Sequence, residues 1–302
     1  MQALDTTRLR AVHLVPLTAF TPAGQINERV QQEHIARLSA AGIRVLMPGA
    51  GTGEFHSLSA DEIVRLVAIT REAAGREAIV FAPVGLQIGH AIAVGKQARA
   101  AGADGVLFMP FSHPYMHDAG ARDYYTSVLR ELDCPALIYK NAPVPSDALL
   151  LELSSLDQVV GVKYSLNNLQ DFRRTVLADE GRIEWLCGSA ERFAPYYTVA
   201  GATGYTSGAG NLCPRLTLAM HAALAAGQYD EGLRLQQELL PIEDFRARDG
   251  DSFNISMLKY AMSHLGLDFG APRPPQRQLD ADQRREVDRL LVSVFAAEQR
   301  LP

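Results

Sequence analysis

Residues 79–110 read IVFAPVGLQIGHAIAVGKQARAAGADGVLFMP. An apolar, partly β-branched run opens this stretch, an alanine-rich amphipathic segment follows, and a second apolar run closes it. This order predicts a buried strand, a helix ending at Gly102 and a second buried strand. Such a unit is typical of a parallel sheet covered by helices.

The same unit recurs along most of the chain. Eight strands are predicted, at His13–Phe20, Val45–Gly49, Ile79–Val84, Gly105–Pro110, Pro135–Lys140, Val159–Ser165, Glu184–Gly188 and Thr203–Ala209. Eight helices alternate with them, at Asn27–Ala41, Ser59–Ala74, Gly89–Ala101, Ala121–Leu132, Asp147–Leu153, Leu169–Asp179, Arg192–Ala200 and Pro214–Ala226. This alternation predicts an α/β protein, a closed (β/α)8 TIM barrel. A doubly wound open sheet is the second choice, but it usually needs fewer units, and no G-x-G-x-x-G follows the first strand.

The end of the chain contains helical patterns without intervening strands. Three more helices are predicted at Tyr229–Phe245, Ser252–Leu265 and Asp280–Glu298, with a proline-rich link before the last. We therefore predict two domains, a catalytic barrel over residues 1–226 and a C-terminal three-helix extension over residues 227–302.

The composition is that of an ordinary globular protein, with 47% hydrophobic and 21% charged residues among 302. A formal net charge of −5 argues against a nucleic-acid or anionic-membrane partner. No apolar run reaches the ~18 residues of a membrane span, and the N-terminus lacks the apolar core of a signal peptide. Three widely spaced cysteines suit a reducing compartment, so a cytoplasmic location is predicted.

Strand six, VVGVKYS over residues 159–165, carries a lysine within an apolar run. The active sites of such barrels lie at the C-terminal ends of the strands, where Lys163 is placed. The chain has only four lysines against 25 arginines, and a buried ammonium is costly unless it is paired or functional. Lys163 is therefore predicted to be an amine that attacks a carbonyl and forms an imine. The alternative is a structural lysine paired with a carboxylate on a neighbouring strand.

Other strand ends carry polar or glycine-rich segments. The turn Gly51-Thr52-Gly53 after strand two exposes backbone N–H groups suited to a carboxylate or phosphate, although a plain tight turn has the same composition. Tyr139 ends strand five and could move protons or be a core aromatic residue. Ser189 after strand seven and Ser207 in strand eight could bind substrate hydroxyls or serve only the turns.

Two further features are weaker candidates. His113 and His117 have a spacing that suits a metal on a helix, but Pro114 lies between them in a predicted loop, and no metal site is predicted. Cys187 stands at the end of strand seven, where a nucleophile could lie, but a small buried apolar side chain is the favoured interpretation.

Several of these pieces occur together in one known superfamily. The chain resembles the dihydrodipicolinate synthase / N-acetylneuraminate lyase superfamily over nearly its whole length, through Pro16-Leu-Thr-Ala-Phe20, Gly51-Thr-Gly-Glu54, Tyr139 and Gly161-Val-Lys163 in that order. The resemblance implies a barrel with a three-helix C-terminal domain, a homotetramer or homodimer, and no metal or organic cofactor. It implies a Schiff-base role for Lys163, a proton-relay role for Tyr139, and a carboxylate clamp made by Thr52 and the amides of its loop.

Departures from the synthases point to one branch. Gly51 stands where the synthases have the first of two threonines, Val144-Pro145-Ser146 where they have an arginine, and Phe111-Ser112 where the aromatic partner of the relay is expected. Synthase activity is therefore not expected. The segment GTGEFHSL at 51–58, Ser207 and Asn254-Ile-Ser256 resemble the 5-dehydro-4-deoxyglucarate dehydratase branch. That branch has an arginine after the tyrosine, whereas this chain has Lys140-Asn141-Ala142.

The predicted function is that of a class I Schiff-base lyase acting on a 2-keto-3-deoxy sugar acid, a dehydratase of the 5-dehydro-4-deoxyglucarate dehydratase type. Decarboxylation accompanies dehydration in that branch. Three alternatives stay open: a pyruvate-releasing class I aldolase of the same superfamily, a non-catalytic barrel that binds a keto acid, and an unrelated phosphate-binding barrel.

Overall fold

Eight parallel strands close into a barrel in chain order in the computed structural model, which describes residues 4–110 and 113–301. β1 pairs with both β2 and β8, which closes the ring. The predicted TIM barrel is confirmed, and the open doubly wound sheet is wrong. The strands are β1 Val12–Leu14, β2 Val45–Leu46, β3 Ile79–Val84, β4 Gly105–Phe108, β5 Ala136–Lys140, β6 Val159–Tyr164, β7 Glu184–Cys187 and β8 Gly204–Ser207.

Helices follow the strands as the pattern of caps predicts. Asn27 accepts a hydrogen bond from the backbone at the start of α1, and Ser59 forms a reciprocal capping box with Glu62 at the start of α2. Gly102 has φ +105 directly after α3, a conformation that favours glycine. The eight helices are α1 Glu28–Ala40, α2 Ala60–Ala74, α3 Ile88–Ala100, α4 Asp118–Leu132, α5 Asp147–Leu153, α6 Leu169–Asp179, α7 Ala190–Val199 and α8 Pro214–Ala225.

The first strand is shorter than the sequence predicts. Beyond β1 the apolar run continues, but two of its backbone N–H groups are bonded by side chains instead of by a neighbouring strand. The N–H of Leu17 donates to the side chain of Asn211 and that of Ala19 to the side chain of Gln31, at 3.0 and 2.9 Å. Hydrophobicity alone does not distinguish this arrangement from a longer strand.

Four helical segments follow the barrel: α9 Tyr229–Arg246, the short α10 Arg248–Asp251, α11 Ser256–Met262 and α12 Ala281–Gln299. The second predicted helix begins later than expected because Asp249, Gly250 and Asp251 all have positive φ, which breaks the helix. C-terminal helices are confirmed, while the division of the chain between residues 226 and 227 into two domains stays a prediction.

The residues of the barrel strands are buried, with one exception. Of the strand residues that the structure describes, all are buried except Tyr139, which is partly exposed. The one opening in the strand layer thus lies at the C-terminal end of β5. Among the described residues, no helix has the length and apolar character that crossing a bilayer requires.

Candidate active site

Lys163 and Tyr139 face each other on neighbouring strands. They are register partners in the β5–β6 ladder, and the Lys163 Nζ lies 3.8 Å from the centroid of the Tyr139 ring. Lys163 is buried, with 5% of its surface exposed. A contact with the face of an aromatic ring stabilises a cation without using a carboxylate.

The other buried lysines behave differently. Lys140 lies 3.4 Å from the Asp147 carboxylate, and Lys259 lies 2.5 Å from that of Glu54. Within residues 4–110 and 113–301, no carboxylate forms an ion pair with Lys163. A structural lysine would be paired as the other two are, so this geometry favours a chemical role for Lys163.

A cavity of about 410 Å³ opens beside this pair. Tyr139 and Gly188 line it, and both contact Lys163: an added Cβ at Gly188 would lie 3.0 Å from the Lys163 Cγ. The cavity joins two parts of the chain. Its barrel wall is formed by Tyr139, Asn141, Ser165, Asn167, Gly188, Ser189, Ala190, Arg192 and Phe193, and its far wall by Glu243, Arg246, Ala247, Asp251 and Asn254.

Hydroxyl groups surround the phenol of Tyr139. The Ser165 Oγ donates to the Tyr139 Oη at 3.5 Å. Ser189 lines the same cavity, and its Oγ donates to the Asn167 Oδ1 at 2.8 Å. Ser189 thus lines the same cavity as Tyr139, and its predicted contact with a substrate hydroxyl stays a prediction.

Ser207 is placed elsewhere. It is 1% exposed and lies outside the residues that line the described cavity. Its Oγ donates to the carboxylate of Glu191 and accepts from the N–H of Gly210 at 2.9 Å. In this arrangement Ser207 orients Glu191, and its predicted contact with a substrate hydroxyl stays a prediction.

Glu191 is a fully buried carboxyl group in the first turn of α7. Burial, and then the nearby carboxylate of Glu243, raise the pKa of Glu191 to about 7. Its Oε1 also accepts from Thr217 at 3.2 Å, whereas its Oε2 has no partner among the described residues. Such a carboxyl group can change protonation state near neutral pH.

The turn after β2 is a single helical turn, Gly51–Gly53. The first N–H groups of such a turn have no partner within it, but Gly51, Thr52 and Gly53 are not among the residues that line the described cavity, and their binding of a carboxylate stays a prediction. The Thr52 Oγ1 donates to the carbonyl of Val15 at 3.1 Å. An added Cβ at Gly53 would lie 3.0 Å from the carbonyl oxygen of Pro16, so glycine allows the turn to pack against the strand-one segment.

Residues of the C-terminal segment contact this turn through Glu54. Glu54, which ends the turn, has the left-handed backbone values φ 69 and ψ 38. Its side chain forms the buried ion pair with Lys259 of α11 and accepts from the backbone N–H of Arg273 at 2.8 Å. Burial lowers the pKa of Lys259, and the Glu54 carboxylate opposes this shift.

Neither weaker candidate gains support. Cys187 is fully buried, and burial raises the pKa of its thiol, which disfavours the nucleophilic thiolate. His117 caps the start of α4, and His113 accepts a bond from the N–H of Tyr115. In the described part of the chain, no group of three or more potential metal ligands is present. The predicted Phe111-Ser112 pair lies outside the described residues.

Sequence reasoning assigned no site role to Ser165, Glu191, Arg246 and Asn254, although it used Asn254 in the resemblance to the dehydratase branch. Ser165 directly follows a strand, a signal that could have identified it. Glu191 lies in the first turn of α7, four residues after β7, so its place shortly after a strand could have identified it as well. Arg246 ends α9, where a charged residue usually indicates a solvated face, and only the tertiary structure brings it to the cavity.

Comparisons with known proteins agree with this fold. A family model described as the dihydrodipicolinate synthetase family matches residues 8–294. A relative from Streptomyces avermitilis, named probable 5-dehydro-4-deoxyglucarate dehydratase 1, is 32% identical over 93% of this chain and 92% of its own. One from Bacillus subtilis, named probable 5-dehydro-4-deoxyglucarate dehydratase, is 28% identical over 91% of each chain. The crystal structure of dihydrodipicolinate synthase from Oceanobacillus iheyensis superposes with a TM-score of 0.92 at 32% identity, over 97% of this chain and 100% of that one.

Proposed function

The chain belongs to the dihydrodipicolinate synthetase family, and from this premise we propose that it is a lyase that forms a Schiff base between Lys163 and a 2-keto-3-deoxy sugar acid and then removes water. The observation that carries the proposal is the buried Lys163 amine, 3.8 Å from the ring of Tyr139 and beside a cavity of about 410 Å³. The dehydratase names of the Streptomyces and Bacillus relatives support the type of reaction.

The first step joins the amine to the ketone. Carbon atoms of the substrate are numbered from the carboxylate beside the ketone. The neutral Lys163 amine attacks C2, and the adduct takes up one proton and loses one water molecule to give a protonated imine. The positive charge of that imine lies next to the Tyr139 ring, where the π face stabilises it.

The second step removes the C4 hydroxyl. The imine draws electrons from the C3–H bond, so a base takes the C3 proton and an enamine forms. The enamine electrons then expel the C4 oxygen, which leaves as water after it receives a proton. Tyr139 lies in the cavity beside Lys163 with Ser165 on its hydroxyl, and we assign it the proton transfers.

A further step applies to substrates with a second carboxylate on C5. Loss of water leaves a conjugated, protonated imine, and the electrons of the bond to that carboxylate move into it as carbon dioxide leaves. The product is a dienamine with an enol at C5; protonation on carbon restores the imine, and the C5 enol becomes an aldehyde. Hydrolysis of the imine then returns the Lys163 amine and releases a dicarbonyl acid. We propose this decarboxylation for dicarboxylate substrates, in line with the dehydratase names of the relatives.

The remaining predicted residues take binding roles in this proposal. The amides of Gly51, Thr52 and Gly53 bind the C1 carboxylate, and Ser189 and Ser207 serve the hydroxyl groups of the sugar chain. We also propose that the protein is the homotetramer or homodimer that the family resemblance implies. Light scattering, which gives the molar mass of the assembly in solution, tests this.

The test is reductive trapping. The protein is incubated with pyruvate and sodium borohydride, and the added mass is located by peptide mass spectrometry. We expect an adduct on Lys163 that is absent in Lys163→Ala, while Lys140 and Lys259 serve as internal controls because they are buried but paired. An adduct on either of those lysines, or none at all, would refute the assignment and favour a phosphate-binding barrel.

Product analysis separates the remaining alternatives. Incubation with 2-keto-3-deoxy sugar acids should give carbon dioxide from dicarboxylates and no pyruvate. Pyruvate detected with lactate dehydrogenase would identify an aldolase. A trapped adduct without any product would identify a barrel that binds keto acids but does not turn them over.

A further inference from the structure

The cavity beside Tyr139 ends on the C-terminal helices. Its far wall carries Arg246, at the end of α9, and Asn254, which precedes α11. We propose that Arg246 binds the second carboxylate of the substrate, at the end remote from the ketone. This inference rests on the proposed function and adds to it the residue that recognises the second carboxylate of a dicarboxylate substrate.

Arg246 is held in one orientation. Its side chain is 5% exposed. The Nε donates to the backbone carbonyl of Asn254 at 3.1 Å, the Nη2 to the Asn254 Oδ1 at 2.6 Å, and the Nη1 to Glu243. A guanidinium group fixed in this way loses little conformational entropy when it binds a ligand.

Two N–H groups of Arg246 stay available. A guanidinium has five N–H groups, and three of them make the bonds just described. One on each terminal nitrogen is left without an acceptor among the described residues. A carboxylate has two oxygens that match such a pair of donors, whereas a terminal hydroxyl has only one.

The position of the guanidinium depends on a glycine. An added Cβ at Gly208, directly after β8, would lie 2.2 Å from the Arg246 Nη2 and 2.7 Å from its Cζ. Arg246 therefore packs directly on the backbone at the C-terminal end of the barrel. A charge from the C-terminal helices is in this way placed over the barrel mouth.

The other cations near the cavity are less suited to this role. Lys140, in the segment where the dehydratase branch carries its arginine, donates to the carbonyl oxygens of Ala142, Pro143 and Pro145. Arg192 lines the cavity and is paired with a carboxylate as Arg246 is, but its side chain is 40% exposed against 5% for Arg246. Two arginines line the cavity, Arg192 and Arg246, and only Arg246 is buried.

The test compares two ligands of equal length that cannot form an imine. Galactarate has a carboxylate at both ends, and galactonate has a terminal hydroxymethyl group at one end. Binding of each is measured by titration calorimetry to the wild-type protein and to Arg246→Gln. We expect the substitution to weaken galactarate binding by at least about 10-fold and galactonate binding by less than about 3-fold.

Two further variants separate binding from folding. Arg246→Gln leaves Glu243 buried without its partner, so the double variant Glu243→Gln/Arg246→Gln is measured as well, and it should show the same loss of selectivity. Arg234→Gln is the matched control, because Arg234 lies on the same helix with its side chain 55% exposed and should bind both ligands as the wild type does.

Equal weakening of both ligands in the single and double variants would overturn the inference and make Arg246 a structural residue. A wild-type protein that binds galactarate no better than galactonate would also overturn it. Failure of the proposed function has a different signature, since it removes the borohydride adduct on Lys163 and leaves the calorimetric selectivity intact.

Discussion

Lys259→Met tests whether the buried ion pair between Lys259 and Glu54, at the end of the Gly51–Gly53 turn, stabilises both the protein and the candidate site. The side chains of Lys259 and Glu54 are 1% and 0% exposed, with 2.5 Å between Nζ and Oε1. Methionine keeps most of the aliphatic chain but leaves a buried carboxylate without its cation. Removing one member of a buried pair costs about 3–5 kcal/mol of unfolding free energy. At roughly 2 °C per kcal/mol for a chain of this size, the Tm should fall by about 6–10 °C.

The same substitution should affect ligand binding more than chemistry. Glu54 ends the Gly51–Gly53 turn in a left-handed conformation, and a non-glycine residue keeps such a backbone only where its surroundings hold it. Without Lys259 the turn loses that support, so KM for the keto acid should rise while kcat changes less. The assays are scanning calorimetry at fixed protein concentration and scan rate, and steady-state kinetics with the substrate identified by screening.

The Tm values of two further variants test this argument. Glu54→Gln/Lys259→Met has no lone buried charge and should recover at least half of the lost Tm. Lys96→Met is the matched control, because the Lys96–Glu131 pair is about half exposed and a surface pair contributes about 0–1 kcal/mol. A Tm for Lys259→Met no lower than that of Lys96→Met would refute the argument.

Two shorter predictions concern the barrel mouth. Gly188→Ala places a Cβ 2.2 Å from the Ser165 Oγ and 2.9 Å from the Tyr164 carbonyl oxygen, so the rate of borohydride trapping at Lys163 should fall at least about 10-fold. Gly120→Ala is the control, because its added Cβ meets nothing within 4 Å, and it should leave the trapping rate unchanged. Equal rates in the two variants would contradict the prediction. Glu191→Gln should stabilise the protein relative to the wild type, and increasingly so as pH rises. The folded-state pKa of Glu191, about 7, lies above the ordinary value of about 4.3, so wild-type stability is greatest below the ordinary value. It declines as pH rises to the folded-state value, by up to about 3–4 kcal/mol. Melting curves from about pH 5 to about pH 8 test this, and parallel curves for the two proteins would speak against it.

The fold was largely predictable because it depends on local patterns. Each strand is an apolar run and each helix an amphipathic segment with its own start and stop signals, as the caps at Asn27 and Ser59 illustrate. The errors in the predicted element boundaries occur where a hydrogen bond to a residue elsewhere in the fold determines the backbone conformation. β1 ends early because Leu17 and Ala19 bond to side chains far along the chain or on a neighbouring helix, and no local pattern records such a bond.

The site was predictable only on its barrel side. Lys163 and Tyr139 stand at strand ends, where active sites of such barrels lie, and the family resemblance selects them among the other strand-end residues; their catalytic roles stay predictions. Arg246 stands in a helix among other charged residues, and nothing nearby in the sequence distinguishes it from an exposed arginine. Its burial, and its contact with the backbone of Gly208, follow from how the C-terminal helices pack on the barrel.

The strained residues at the barrel mouth show what that packing does for the site. Glu54 and Ala190, with φ of 69 and 57, lie in the segments that follow β2 and β7, and Ala190 lines the described cavity. Each is held by contacts from the C-terminal helices: Lys259 pairs with Glu54, and Gln236 donates to the carbonyl of Glu191, next to Ala190, at 2.8 Å. Left-handed non-glycine residues cost on the order of 1–3 kcal/mol each, and buried polar contacts of this kind offset such a cost. The helices after the barrel are therefore part of the site, since they fix the turn proposed to bind the C1 carboxylate and supply the arginine proposed to bind the other end.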